Sequence, residues 1–376
     1  MASYYVGSGG SDTNAGTSYA TRVLTLTKAE TLATSAGDTL YISPGTYREG
    51  PTLGASGGNA YTTGTVTATN GSTTVTGSGT TFTGGNVVAG YYFKTRSSAP
   101  ILISAVNSAT EIILASAYDG PTEAGITYAT YNPIKWIGDY SGANTDGVGG
   151  IIRITGSGDD ITITRTNCLI ASSKNYRHFT GITFDIATYA IAFTSCTYIL
   201  FDKCHTQYAG GTTGCFYFDG ASQAHITVKN TYFGPSSQAA TAMIHFTHSS
   251  DLSNTGHMVQ NCVLQGSGRY FSGNAGIKWT NVGGCWVKNS TIFGVYTCCH
   301  IDASLAGGQV NTVNNCILGA GENTFVATTS GELIEDFNSL PASGNVGALR
   351  TNVPVGANSV SYPALFDSRW WFEATK

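Results

Sequence analysis

The sequence predicts an all-β fold, and three observations predict it. The motif Val-x-Asn-x returns four times, in "TVKNTYF" (227–233), "MVQNCVL" (258–264), "WVKNSTI" (286–292) and "TVNNCIL" (312–318). A second pattern, apolar-x-aromatic-Thr/Asp, alternates with it: "IAFT" at Ile191, "FYFD" at Phe216, "IHFT" at Ile244 and "IKWT" at Ile277. It continues in "CHID" at Cys299, and "IIRIT" at Ile151 reads as its start. Third, charged residues are only 11% of the chain, against roughly 25% in an average domain. Gly numbers 48 and Pro only 9, while 41% hydrophobic residues and 21 Tyr can fill a core. Such a composition suits a β-rich chain with many turns and a neutral, hydroxyl-rich surface.

The two patterns form one unit whose length varies while its strands do not. Asn230, Asn261, Asn289 and Asn315 stand at successive spacings of 31, 28 and 26 residues, and the frame extends upstream to Lys203 and Gly181. Variable loops on constant strands mark a solenoid. The apolar period is two, broken at Gly, Asn and Ser, so helical and leucine-rich repeats are excluded. The architecture that fits is a parallel β-helix, in which equivalent residues stack at roughly the 4.8 Å strand spacing. Its corners turn through the left-handed region, which Asn and Gly reach most cheaply. The four asparagines therefore form a structural ladder, and Val228, Val259, Val287 and Val313 an inward aliphatic stack.

The elements follow in order. Residues 1–61 hold a cap and the first coils: Ala29, Leu32, Ala33 and Ala36 fall on one helical face, ahead of the strand and turn of "GDTLYISPGTYRE". A helix there closes the open strand edge of a solenoid. Residues 62–131 change texture, with no charge from Gly50 to Phe93, and read as an inserted β-module of three to five strands. Residues 132–345 are the main helix. Residues 346–376 end in "YPALFDSRWWFEATK", whose Trp370 and Trp371 serve as an end plug or a subunit contact.

Two stretches carry a resemblance. Tyr4 to Glu49, with "YYVGSGGSDTNAGTS" and "GDTLYISPGTYRE", resembles the opening of right-handed parallel β-helix proteins of the pectate-lyase-like superfamily. That pattern identifies a fold and not a function. "GTVTATNGSTTVTGSGTTFTGGNVVAGYYFK" and "APILISAVNSATEIILASAY" resemble modules in the tail and head-surface proteins of bacteriophages. The resemblance implies a component of a virus particle, assembled as a homotrimer with other virion proteins. Tailspikes usually begin with a particle-binding domain, whereas here the cap pattern begins almost at Met1; that favours a capsid decoration or cement protein, or a small spike, over a standard tailspike.

Chemistry has few candidates. In the second pattern, the outward positions gather Tyr217, Asp219, His245, Lys278, His300 and Asp302 into a polar patch. It reads as a solvated face, a subunit contact, a glycan-binding surface or a catalytic site. Asp219 and Asp302 fall three coils apart, roughly 14 Å, too far for a glycosidase pair. Asp185 and Asp202, near His205, form a weaker pair that turn capping also explains. Glu332, Glu335 and Asp336 read as a solvated strand or turn. No motif for a cofactor, a phosphate loop or a metal site is present. A net charge of −4 without a basic stripe argues against nucleic acid. "MASYYVGSGG" has neither the basic nor the apolar region of a signal peptide, and no stretch is long enough to span a membrane. The nine cysteines, with Cys298 and Cys299 adjacent, read as buried free thiols of a chain made in a reducing cytosol and destined for the virion. Two functions result: a non-enzymatic structural or adhesive particle component, or a tailspike-type depolymerase that hydrolyses or eliminates a host surface polysaccharide.

Overall fold

A computed structural model describes residues 1–362 apart from 59–60, 159–165, 186, 208–214, 235–241, 253–254, 267–273, 303–309, 328–332, 337, 342–348, 352 and 354–357. Trp370 and Trp371 lie outside the described residues, as does Glu332. The chain winds as a parallel β-helix with three faces, right-handed as parallel crossovers are.

The first face has ten parallel strands among the described residues, from Ser3–Val6 and Thr39–Ile42 through Ile134–Gly138, Arg177–Thr180 and Ile199–Asp202 to Leu333–Asp336. The second runs from Gly45–Tyr47 through Ile152–Thr155, Thr183–Asp185, His205–Gln207 and Tyr232–Phe233 to Val263–Gln265. The third holds Asn167–Ser172, Tyr189–Thr194, Phe216–Asp219, Ala242–Leu252 and Ala275–Val282. Thr291–Ile301 is long enough to round the corner, pairing Val263–Gln265 with its first half and Ala275–Val282 with its second. The second and third faces thereby join into one sheet.

Register places the sequence repeats in columns. Inside the first face, Trp136, Phe179, Phe201, Val228, Val259, Val287 and Val313 stack rung on rung. All are essentially buried. The next inward residue is Glu335, which is buried and not solvated as the sequence suggested. It accepts from Asn338 Nδ2 (2.8 Å) and from the Ser359 hydroxyl, the partners a buried carboxylate needs. At the corner after this face, Gly181, Lys203, Asn230, Asn261, Asn289 and Asn315 all have φ between 49° and 69°. Each donates its backbone N–H to a carbonyl of the next coil, at 3.0–3.4 Å. Asn261 Nδ2 donates to Asn230 Oδ1 (3.2 Å), and Asn230 Nδ2 to Asp202 Oδ1 (2.8 Å).

A column of small polar groups runs just inside that corner. Cys204, Thr231, Cys262, Ser290 and Cys316 follow the left-handed residues and are buried. The Cys204 N–H donates to Thr231 Oγ1 (3.3 Å) and the Cys262 N–H to Ser290 Oγ (3.2 Å). All nine cysteines are free and buried.

The N-terminal end is closed by the helix Leu26–Leu32, shorter than the sequence pattern, which ran on to Ala36. Thr25 caps it, its hydroxyl accepting from Lys28 N. Glu30 points into the solenoid rather than to water. It takes the Trp136 indole N–H (2.6 Å), the Gly54 N–H (3.0 Å) and the guanidinium of Arg177, which is itself fully buried.

Between Leu53 and Ile134 the coil is interrupted by a seven-stranded sheet, antiparallel throughout, from Thr65–Ala68 to Tyr128–Tyr131. Its own core is built on Val66, Phe82, Phe93, Ile103 and Leu114. It leans on the outer side of the first face. Tyr131 bonds His178 (3.1 Å), the Tyr92 ring stands edge-on to His178 at 4.3 Å, and Lys288 Nζ donates to Ser97 O (2.9 Å). The outward residues His178, Leu200, Thr227 and Met258 are accordingly buried, while Ile334, further along the same column, is half exposed.

Candidate functional site

The outer side of the third face collects most of the residues singled out from the sequence. The inward aromatic column Phe193, Phe218, Phe246 and Trp279 fixes the strand faces, so the residues between project outward. One outward column reads Ala192, Tyr217, His245, Lys278, His300 in unbroken register. The neighbouring column holds Thr194 and Asp219, then Thr247 and Thr280, with Asp302 following Ile301. "IIRIT" does not start this face. Ile152–Thr155 lies on the second face, and the strand before Tyr189–Thr194 is Asn167–Ser172.

The patch has an aromatic half and a charged half. Tyr217 lies between Tyr189, at 5.8 Å between centroids, and His245, at 5.6 Å. Burial first, and then the Asp219 carboxylate that accepts its hydrogen bond, push the Tyr217 hydroxyl up to about 12, so it stays a phenol at neutral pH. His245, mostly buried, shares a hydrogen bond with Thr280 Oγ1 (3.1 Å). In the charged half Lys278 Nζ sits 2.9 Å from Asp302 Oδ2, and His300 Nε2 lies 3.7 Å from the other carboxylate oxygen. Burial lowers the His300 pKa, opposed by Asp302 and reinforced by Lys278.

The register separates Asp219 from Asp302 by three rungs, about 14 Å. The threonines of the intervening rungs carry no charge. These two carboxylates therefore do not flank one glycosidic bond, which needs them within roughly 5–9.5 Å.

Asp185 and Asp202 do not face each other. Asp185 is on the second face, buried, with Arg153 Nε at 2.7 Å. Asp202 ends a strand of the first face, where Lys229 (3.6 Å) and Asn230 hold it. His205 senses Asp185 electrostatically, although burial lowers its pKa. The sequence placed both acids near one corner but could not tell which side of the corner each takes. Arg153 and Tyr189 are the contributors that the sequence missed. Tyr189 was legible in principle, two residues before the "IAFT" repeat. Among the described residues, no group of three His, Cys, Asp or Glu could hold a metal ion, and no helix is long and apolar enough to cross a membrane.

No protein-family profile and no curated protein matches the chain. Solved structures do resemble it in fold. A complex of XylC with xylose is 10% identical, with a TM-score of 0.46 over 95% of this chain and 70% of that one. A rhamnogalacturonan lyase is 12% identical, with a TM-score of 0.47 over 96% and 87%. The tailspike gp61 of Pseudomonas phage phi297 is 11% identical, with a TM-score of 0.32 over 84% and 66%. At these identities the likeness extends to the coil and no further.

Proposed function

We propose that the chain is a non-enzymatic, adhesive component of a bacteriophage particle that holds host surface polysaccharide on its third face. The observation that carries the adhesive reading is the outward column Tyr217–His245–Lys278–His300, where one aromatic or polar group stands on each rung of a rigid ladder. Rings with one apolar face and one polar tip suit a pyranose, which is itself apolar on its ring face and polar at its rim. The three-rung gap between Asp219 and Asp302 supports adhesion over hydrolysis. The particle assignment rests on the resemblance of residues 62–131 to phage surface modules.

A homotrimer in the virion completes the proposal. The test joins two measurements, the mass in solution and the release of reducing ends from host capsule or lipopolysaccharide. A trimer that retains polysaccharide without cutting it is expected. Release of reducing ends at a catalytic rate would replace adhesion by depolymerisation, and a monomer absent from purified particles would remove the virion role.

A further inference from the structure

We propose a second binding site, for a short oligosaccharide, on the first face: a shelf of three rungs where the cover of the module ends, floored by Trp286, Thr312 and Ile334. These residues continue the outward column of His178, Leu200, Thr227 and Met258 in unbroken register. The module seals that column as far as Met258, which is fully buried. One rung on, Trp286 is half-buried, and Ile334, two rungs further, is 51% exposed. The step falls where the module meets the coil. Lys288, two residues along the strand from Trp286, donates to Ser97 O (2.9 Å) and Asp119 O (3.5 Å) of the module. The module is therefore the wall of the shelf, and the sheet is its floor.

Size decides the class of occupant. Three rungs span roughly 10–14 Å along the coil and two outward columns roughly 7–10 Å across it, so the floor is on the order of 150 Å² or less. A stable protein partner needs about 800 Å² on each side, whereas a chain of two or three sugars needs no more than the shelf offers. The chemistry agrees with the size. Trp286 gives a pyranose an apolar ring to lie on, and Lys288 Nζ, 4.8 Å from the ring centroid, braces the indole from one side. On the next rung the Thr312 hydroxyl can donate and accept. Asn314, stacked on Lys288, holds its Oδ1 buried with no donor. Turning that amide onto a ligand hydroxyl supplies the missing bond, so binding also relieves an unpaired acceptor.

The experiment titrates short oligosaccharides, released from host capsule and lipopolysaccharide, against the full chain and against Trp286→Phe, Trp286→Ala and Tyr217→Ala, reading tryptophan emission and calorimetric affinity. The unaltered chain is expected to change its emission on binding. Trp286→Phe keeps a ring on the floor, so it should bind within about threefold of the unaltered chain while the emission change disappears. Trp286→Ala should weaken binding at the shelf by about tenfold or more, with a thermal melt to show that the coil persists. Tyr217→Ala should leave the emission change in place. An emission change that survives in Trp286→Phe, or an affinity unaltered in Trp286→Ala, overturns the shelf and leaves adhesion on the third face standing. A change of mass in solution in Trp286→Ala, with glycan binding unaltered, makes the shelf a contact between chains and likewise overturns the proposal. Binding of no oligosaccharide by any form overturns both sites.

Discussion

At Asn261 the backbone turns with φ 53°, its N–H reaches Lys288 O at 3.1 Å, and its amide reaches Asn230. A side chain branched at Cβ is poorly tolerated in that region, where a left-handed L-residue costs roughly 1–2 kcal/mol. Asn261→Val is therefore expected to lower unfolding free energy by about 1–2 kcal/mol, and Asn261→Gly by less than about 1 kcal/mol. Urea denaturation of both variants measures the difference; equal losses would mean that the side-chain ladder and not the corner conformation selects Asn. The same filter made this corner legible, since Gly181, Lys203 and the four asparagines could be aligned before any coordinates. The other corner was not legible. There Ser173, Tyr176, Ser195, Tyr198 and His225 also have positive φ, although Tyr rarely does. Stacking of Tyr176 on Tyr198 at 5.1 Å and of Tyr198 on His225 at 4.5 Å holds them. Tyr176, Tyr198 and His225 stand five residues before Gly181, Lys203 and Asn230, in the same frame, but aromatic residues are not turn formers and give no turn signal.

At the scale of the element, the N-terminal helix is fixed to the coil by charge as well as by apolar contact. Ala29 and Ala33 were readable as a buried stripe, but Glu30 was not, because its guanidinium partner is 147 residues away. Removing one member of a buried ion pair leaves the other uncompensated, at a cost of about 3–5 kcal/mol. Arg177→Met should therefore destabilise the chain by that amount, and Arg177→Met with Glu30→Gln should recover most of it. A guanidinium chloride titration of the single and double variants decides; additive losses would show that the two groups act separately. The face of each strand was also harder to read than its existence. An Ile-x-Ile alternation looks the same on any face, so "IIRIT" was attributed to the third face while the corner turns had carried it to the second. In the inserted module, seven strands replace the expected three to five, because short pieces such as Tyr92–Thr95 and Glu123–Ile126 offer too few residues for an alternation to show.

For the molecule as a whole, bases buried under the module and inside the coil cannot keep a proton: His178 meets Tyr92 and Tyr131 of the module, and His257 stacks on Phe246 of the inward column. Burial lowers His225 to about 3 and puts His178 and His257 well below their ordinary range. Lys94 of the module is lowered to about 7, again mainly by burial, with Asp119 opposing and Lys288 assisting. The sign follows from proton counting. Between pH 6.5 and about 3 the unfolded chain holds more protons than the folded one at these histidines, so their contribution is complete above 6.5 and falls as pH falls through that window, while Lys94 by the same sign adds stability as pH rises from about 7 towards 10.5. The expected result is a melting temperature that drops steadily between pH 7 and pH 4, and drops less in His225→Gln. A flat profile over that range would show that these rings are not held neutral. None of this interface was visible in the sequence, since Tyr92, Lys94, Tyr131, His178 and Lys288 meet only when an independent sheet is laid on the coil. The sealed sulfurs have a practical corollary: burial pushes most of the nine thiols to about 12 or above, so a single cysteine introduced at an exposed site such as Thr194 offers chemists one address for a dye or a spin label. The native sulfhydryls would stay silent, with no need to delete them first.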